Sequence, residues 1–262
     1  MDERPVRLGG MALQNGVLVH GMTSWACAVR DSSGALRVAS GRKPHFAPAV
    51  RSRMPILRGP VALAEAFALL PMVRRALPQA RFPFERPAVL AAVAATTVAA
   101  RSLRRSALPA GAREIVAGGV AFMPALLALR GPDLASYHGA EHVSIGTYEN
   151  GGTPAPKEHP RCGSQLIAPM VASTLAANIV ASKAPAGTRR IVRFAGLAAA
   201  VGGSVELFSW VARNPENRVA QALARPGFEL QRRFSTAEPS AAQLEVANAA
   251  RDACLALETA QA

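Results

Sequence analysis

Between Leu8 and Ser40 short apolar runs alternate with turn residues: GGMALQNGVLVHG, then WACAVR, DSSG and ALRVAS. Runs of this length bounded by Asn-Gly, Gly and Asp read as strands, with Asp31 to Gly34 as the connection between two of them. A small β-rich unit over Leu8 to Ser40 is predicted, followed from Gly41 to Arg58 by a basic, proline-containing connector suited to a membrane surface. At Pro60 the pattern changes. PVALAEAFALLPMV is apolar except for Glu65, but a helix of that length covers about 21 Å, short of the roughly 30 Å hydrocarbon core, which predicts an interfacial or partly inserted helix. Four later apolar segments are better suited to crossing: Pro87 to Ala100, Ile115 to Leu129, Leu166 to Ala181 and Phe194 to Ala212. The first two are short and Pro124 interrupts the second, so re-entrant or tilted helices are allowed. Their many alanines permit close helix contact. After them, Asn214 to Ala224 reads as helix, with Pro226-Gly227 as its break. Ser240 then caps a last amphipathic helix, in which Leu244, Val246, Ala247, Ala250, Cys254 and Leu255 recur near a 3.6-residue period. It is expected to pack on the β unit or on the membrane-proximal face.

The predicted fold class is therefore a mainly α integral membrane protein with about four apolar helices, a small N-terminal β-rich unit and a C-terminal amphipathic helix. Three regions follow: 1–58, the β-rich unit and connector; 59–213, a membrane domain with a central polar motif at 137–163; and 214–262, a soluble helical segment.

That central motif, YHGAEHVSIGTYENGGTPAPKEHPRCG, interrupts the apolar pattern and concentrates the chemistry. It holds His138, His142, His159, Cys162, Glu141 and Glu149. On a helix, positions three and four apart share a face, so His138, Glu141 and His142 project together. Two histidines at i and i+4 can reach one zinc ion, and a glutamate between them can serve as general base, the inverted His-x-x-Glu-His order of some metallohydrolases. A further ligand is needed, and Glu149, His159, Cys162 and Glu206 are candidates. Glu206 stands inside the fourth apolar segment, where a carboxylate usually faces a polar cavity, a partner or an ion. A set of three histidines and a cysteine would be closed and structural, whereas two histidines, one further ligand and water would leave an open position. Cys162 as a nucleophile activated by a histidine is the other reading. Arg161 reads as an anion clamp or a headgroup contact.

Composition supports the membrane class. Half of the 262 residues are hydrophobic, 18% are charged and the mean hydropathy is +0.16. MDERPVRLGG lacks the apolar core of a signal peptide, so insertion is expected from internal segments. The net charge of +13 comes mostly from arginine. With 5% aromatic residues and no nucleic-acid motif, it points to anionic lipid headgroups rather than nucleic acid. Thirteen Lys and Arg precede Pro87, while 101–114 and 183–193 carry four each. The positive-inside rule thus argues partly against itself, and the expectation is that both termini and the central motif lie on the cytoplasmic side. Three widely spaced cysteines argue against a disulfide framework, with Cys27 and Cys254 as small core residues.

The motifs GGMALQNGVLVHG, LRGPVALAEAF, YHGAEH, TYENG, HPRCGS, SVEL and PGFELQRRFSTAEPSAAQLEVA resemble the YqhQ-like family of bacterial membrane proteins, a domain of unknown function often described as predicted metal-dependent enzymes. The resemblance implies an integral membrane protein with motif residues His138, Glu141, His142, Glu149, His159, Arg161 and Cys162, with Tyr137 at the head of the motif. Two positions depart from the family pattern. Val143 stands where a lysine is typical, and Thr147 where a cysteine is frequent, which argues against a two-cysteine site. The expectation is a membrane-embedded, zinc-dependent hydrolase with His138 and His142 as ligands and Glu141 as base, its remaining ligand being His159, Cys162 or Glu206. The rival is a membrane assembly or scaffold protein, homo-oligomeric or bound to another membrane protein, with a structural metal or polar cluster.

Overall fold

The computed structural model describes residues 5–46 and 55–260. The stretch 47–54 of the expected basic connector lies outside the described residues. Four antiparallel strands, β1 (Gly9–Leu13), β2 (Gly16–His20), β3 (Ser24–Arg30) and β4 (Leu36–Arg42), form one sheet in chain order. Gln14 and Asn15 make the first turn, where Leu13 pairs with Gly16. Asp31 shapes the third turn, its carboxylate accepting from the backbone of Ser33 and Ala35 and from Arg37.

Alternation sends the side chains of β2 and β3 to opposite faces, and both faces are buried. Val17, Val19, Ala26 and Ala28 point to one side and meet two helices, Pro132–Glu149 and Ala241–Thr259. Leu18, Trp25, Cys27 and Val29 point to the other side and meet α1 (Pro55–Ala76) and Phe82. The sheet is thus the middle layer of three. Cys27 and Cys254 are buried free thiols within this packing.

Beyond α1 come α2 (Pro87–Arg105), α3 (Ala110–Ala128), α4 (Pro132–Glu149), α5 (Ile167–Lys183), α6 (Arg189–Arg213), α7 (Arg218–Leu230) and α8 (Ala241–Thr259). The fold is mainly helical with a small N-terminal four-stranded sheet. Helix α2 packs on α3, α5 on α6, and α3 on α5. Among the described residues, three stretches are long and apolar enough to cross a membrane: Gly111–Ala128, Gly163–Lys183 and Arg189–Arg213. The first of the four expected segments, α2, falls short by hydropathy because Arg101, Arg104, Arg105 and two threonines dilute its apolar run.

Two local expectations need correction. Pro226-Gly227 does not end a helix; α7 runs through it and continues as a π turn, Gln231–Ser235. Ala220, Ala224 and Gly227 form one buried face at helical spacing. Packing of that face against the turn that opens α5 outweighs the backbone hydrogen bond that Pro226 removes. Pro124 likewise lies inside α3 without ending it. By contrast, Ser240 caps α8 as expected: its Oγ accepts from the Gln243 N–H, and the Gln243 side chain reaches back to the Ser240 backbone. Helix α8 packs on the sheet.

Candidate metal centre

Helix α4 carries His-x-x-Glu-His on the layer that covers the sheet. Tyr137, one residue earlier, is buried in the core with Leu134, Ala140 and Ile145, and this fixes the helix rotation. The histidines then emerge together, their ring centroids 4.4 Å apart. Gly139 lets the chain after the π turn cross α4 closely, because a Cβ there would lie 2.1 Å from the Ala237 carbonyl oxygen. That crossing is pinned by the Ala237 N–H donating to the Ala135 carbonyl at 2.9 Å.

The same crossing delivers the Ser235 carbonyl to His138 Nδ1 at 2.7 Å, and the loop after α4 brings the Lys157 carbonyl to His142 Nδ1 at 2.6 Å. A carbonyl only accepts, so both rings carry their proton on Nδ1 and keep the Nε2 lone pair free. His138 Nε2 lies 3.3 Å from Cys162 Sγ. One ligand atom from each of His138, His142 and Cys162 falls within 4.8 Å of the other two. Burial and the neighbouring His138 push the His142 imidazole below its ordinary pKa, although Cys162 and the Lys157 carbonyl oppose this. A neutral imidazole is the ligating form.

Glu141, 7% exposed, points at β1, where a Cβ on Gly10 would lie 2.5 Å from its Oε1. Among the described residues no hydrogen-bond donor reaches its carboxyl. Burial raises its pKa, only partly offset by His138 and His159.

The remaining predicted residues separate from this cluster. His159 is turned away from ligation: its Nδ1 accepts from the Arg161 backbone N–H at 3.2 Å, and its Nε2–H donates to Glu149 Oε2 at 3.3 Å. Glu149 also pairs with the Arg161 guanidinium. Burial works against the Glu149 charge, but the His159 and Arg161 hydrogen bonds hold its carboxyl below the usual range. Glu206 sits on α6 and belongs neither to the three-residue cluster nor to the walls of the cavity beside it.

The sequence reading missed Gln231, which is completely buried. Its Oε1 accepts from the His159 N–H at 2.7 Å, and its Nε2 donates to the His159 carbonyl at 3.2 Å. It holds the loop that presents Cys162. The only signal was a neutral amide beside Arg232-Arg233, inside one of the family-like motifs.

A cavity of about 460 Å³ opens beside the cluster. His138, Glu141, His142 and Cys162 form part of its wall, with residues from β1, the turn before α2, the end of α3 and the start of α5.

No curated protein and no solved structure matches the chain. Residues 132–257, from the start of α4 nearly to the end of α8, match a family model described as "Protein of unknown function (DUF1385)". The histidine pair, HPRCG and the Gln231 segment all lie within the match, which is consistent with the YqhQ-like resemblance of the chain's motifs.

Proposed function

We propose that this protein is a membrane-anchored, metal-dependent hydrolase whose zinc ligands are His138 Nε2, His142 Nε2 and Cys162 Sγ. One observation carries the reading: three ligand atoms converge while both imidazoles are locked by backbone carbonyls into the tautomer that frees Nε2. The thiol proton shared between Cys162 and the histidines is the one a divalent ion displaces. Two nitrogens and one sulfur suit zinc and leave a position open, as catalytic rather than structural sites do. When bound, zinc supplies Lewis acidity and acidifies water in that position.

The chain's own groups supply the rest. Glu141 lies one helical position before His142 and borders the cavity, with no hydrogen bond among the described residues committing its carboxylate. Its raised pKa suits a group that takes a proton from the attacking water and returns it to the leaving group. The Glu149–His159–Arg161 set positions the Cys162 loop.

Membrane insertion completes the reading. Helices α2 with α3, and α5 with α6, form two hairpins that leave and return to the side of the sheet. Although α2 is less apolar, its Thr96 and Thr97 hydroxyls donate to the Ala92 and Val93 carbonyls at 2.7 Å, and this internal satisfaction suits a helix in lipid. Most of the chain's arginines then lie on the sheet side, against anionic headgroups and facing the cytoplasm. Cysteine labelling in intact cells should find Gly151→Cys protected and Gly187→Cys accessible, and the reverse pattern would invert this topology.

The test of the site is metal content. Protein purified in detergent should carry about one zinc per chain. His138→Ala, His142→Ala and Cys162→Ala should lose it, while Glu141→Gln, His159→Gln and Glu206→Gln retain it. Full zinc in Cys162→Ala, or none in the unaltered protein, sinks the proposal. The 3.3 Å contact between Cys162 and His138 favours one second reading, a cysteine nucleophile. It predicts instead a zinc-free protein whose Cys162 is alkylated rapidly by iodoacetamide at neutral pH, and slowly in His138→Ala.

A further inference from the structure

The cavity beside the cluster is built unevenly. Its reactive side chains come from α4 and the loop ending at Cys162. Its apolar lining includes Phe84, Ala125, Ala128, Leu129 and Ile167, contributed by the turn that opens α2, the last turn of α3 and the first residue of α5. Two of the stretches long and apolar enough to cross a membrane therefore end in this lining. Phe84 and Ala125 are exposed, which places an apolar rim where the first hairpin meets the sheet layer. Besides the reactive groups, the polar side chains of the lining are His159, Arg161 and Ser164. Arg161 is paired with Glu149, and β1 contributes Gly9, Gly10 and the apolar Leu8, Met11 and Ala12. A water-soluble polar substrate would find few hydrogen-bond partners here, whereas an alkyl chain would find continuous apolar contact.

We propose that the substrate is a membrane-derived amphiphile, a lipid with a hydrolysable ester or amide at its polar end, whose chain lies along the Phe84–Ala125–Leu129–Ile167 wall while its carbonyl is presented to the His138–His142–Cys162 cluster. Water adds its oxygen to the acyl carbon, the bond from that carbon to the ester oxygen or amide nitrogen breaks, and Glu141 carries the proton from water to the departing group. This inference rests on the hydrolase reading above for its chemistry, but the shape of the cavity carries the substrate class.

Hydroxamates separate the two claims, because their head ligates zinc and their tail is free to vary. Acetohydroxamate, decanohydroxamate and dialanine hydroxamate are titrated against zinc-loaded protein in nanodiscs, with Ala125→Phe and Phe84→Ser as variants. Neither variant touches the ligands or Glu141, and both positions are exposed enough to accept the change. A fully buried methylene contributes a factor of about four. Decanohydroxamate should therefore bind at least ~100-fold tighter than acetohydroxamate, allowing for incomplete burial and competition from the bilayer. Ala125→Phe should reduce that advantage at least about tenfold, while its acetohydroxamate affinity and zinc content stay unchanged. Comparison with the variants in identical nanodiscs cancels bilayer partitioning.

Equal affinities for the short and long hydroxamates overturn the substrate class and leave the metal site standing. A gain from dialanine hydroxamate equal to that from decanohydroxamate also overturns it, in favour of a peptide laid along edge strand β1. If the protein holds no zinc, the hydrolase reading fails, and 11-dansylaminoundecanoate then decides. Its fluorescence should rise with the unaltered protein and not with Ala125→Phe; an equal rise with both overturns the chain-binding wall.

Discussion

Two buried glutamates face the same sheet from neighbouring helices, and their surroundings are opposite. Glu258, on α8, accepts four hydrogen bonds: from the Thr23 N–H at 2.7 Å, the Ser24 N–H and Oγ at 2.8 Å each, and Thr23 Oγ1 at 3.0 Å. Glu141, on α4, accepts none among the described residues. Each faces a glycine that leaves it room: a Cβ on Gly21 would lie 2.3 Å from Glu258 Oε1, and one on Gly10 would lie 2.5 Å from Glu141 Oε1. Burial opposes the charge of both. At Glu258 the Thr23 and Ser24 donors overcome it and hold the pKa below the usual range, while at Glu141 burial prevails and the pKa rises. The first carboxylate ties the C-terminal helix to the β2–β3 turn. The second borders a cavity with its charge opposed by burial, and the hydrolase proposed above assigns it the role of base.

The largest expected effect breaks the structural member. Glu258→Gln puts an amide among four donors that require an acceptor, and should lower unfolding stability by about 3 kcal/mol. Trp25 flanks Ser24 and is buried, so its fluorescence during thermal unfolding in detergent reports the loss. A cost near zero would show that the four hydrogen bonds do not order this turn. The glycines extend the comparison. Gly21→Ala forces a carboxylate that four bonds hold in place and should cost about 2 kcal/mol, whereas Gly10→Ala meets the free end of Glu141 and should cost less than about 1 kcal/mol. Equal costs would mean that Glu141 is as rigidly held as Glu258.

The difference between the two glutamates was only half legible in the sequence. The histidine-flanked Glu141 announced itself through i, i+3 and i+4 spacing, and the Ser240 cap with its apolar repeat announced α8. Glu258, however, is one acidic residue near the end of an amphipathic helix, and its donors lie 234 and 235 residues away. The ligand set was ambiguous for the same reason. His159, Cys162 and Glu206 were equivalent on paper, and what separates them is the loop held by Gln231, 72 residues from His159, together with the Ser235 carbonyl, 97 residues from His138. The π turn that carries both Gln231 and Ser235 follows a Pro-Gly pair that local rules read as a helix stop. Local periodicity identifies which residues share a face, whereas long-range hydrogen bonds decide which nitrogen is free.

A smaller effect concerns acid stability around Glu258. His20, near the same turn, has its Nδ1 3.2 Å from Lys43 Nζ, and burial, then Lys43, lower its pKa to about 4, although the Gly21 carbonyl, Glu65 and Glu258 oppose this. A base with a depressed folded pKa binds fewer protons folded than unfolded. Its contribution is complete above the unfolded value of about 6.5 and is lost as pH falls toward about 4. Melting temperature should therefore decline between pH 6.5 and pH 4, and less steeply in His20→Gln. Parallel profiles would mean that His20 titrates alike in both states.

The smallest expected change in stability is the one that tests the proposed base. Glu141→Gln replaces a buried carboxyl that has no donor among the described residues with an amide of the same shape, so none of the described hydrogen bonds is lost and a desolvated charge is removed. Stability should hold or rise by up to about 1 kcal/mol. Zinc should remain, because the amide leaves His138, His142 and Cys162 untouched, while complementation of a deletion strain should fail. The direction of the stability change matters more than its size. A loss comparable to that of Glu258→Gln would mean that Glu141 has a partner holding its charge in the folded protein, and the contrast between a structural and a chemical carboxylate would collapse. A gain accompanied by lost function would show a group kept for its chemistry at the expense of the fold.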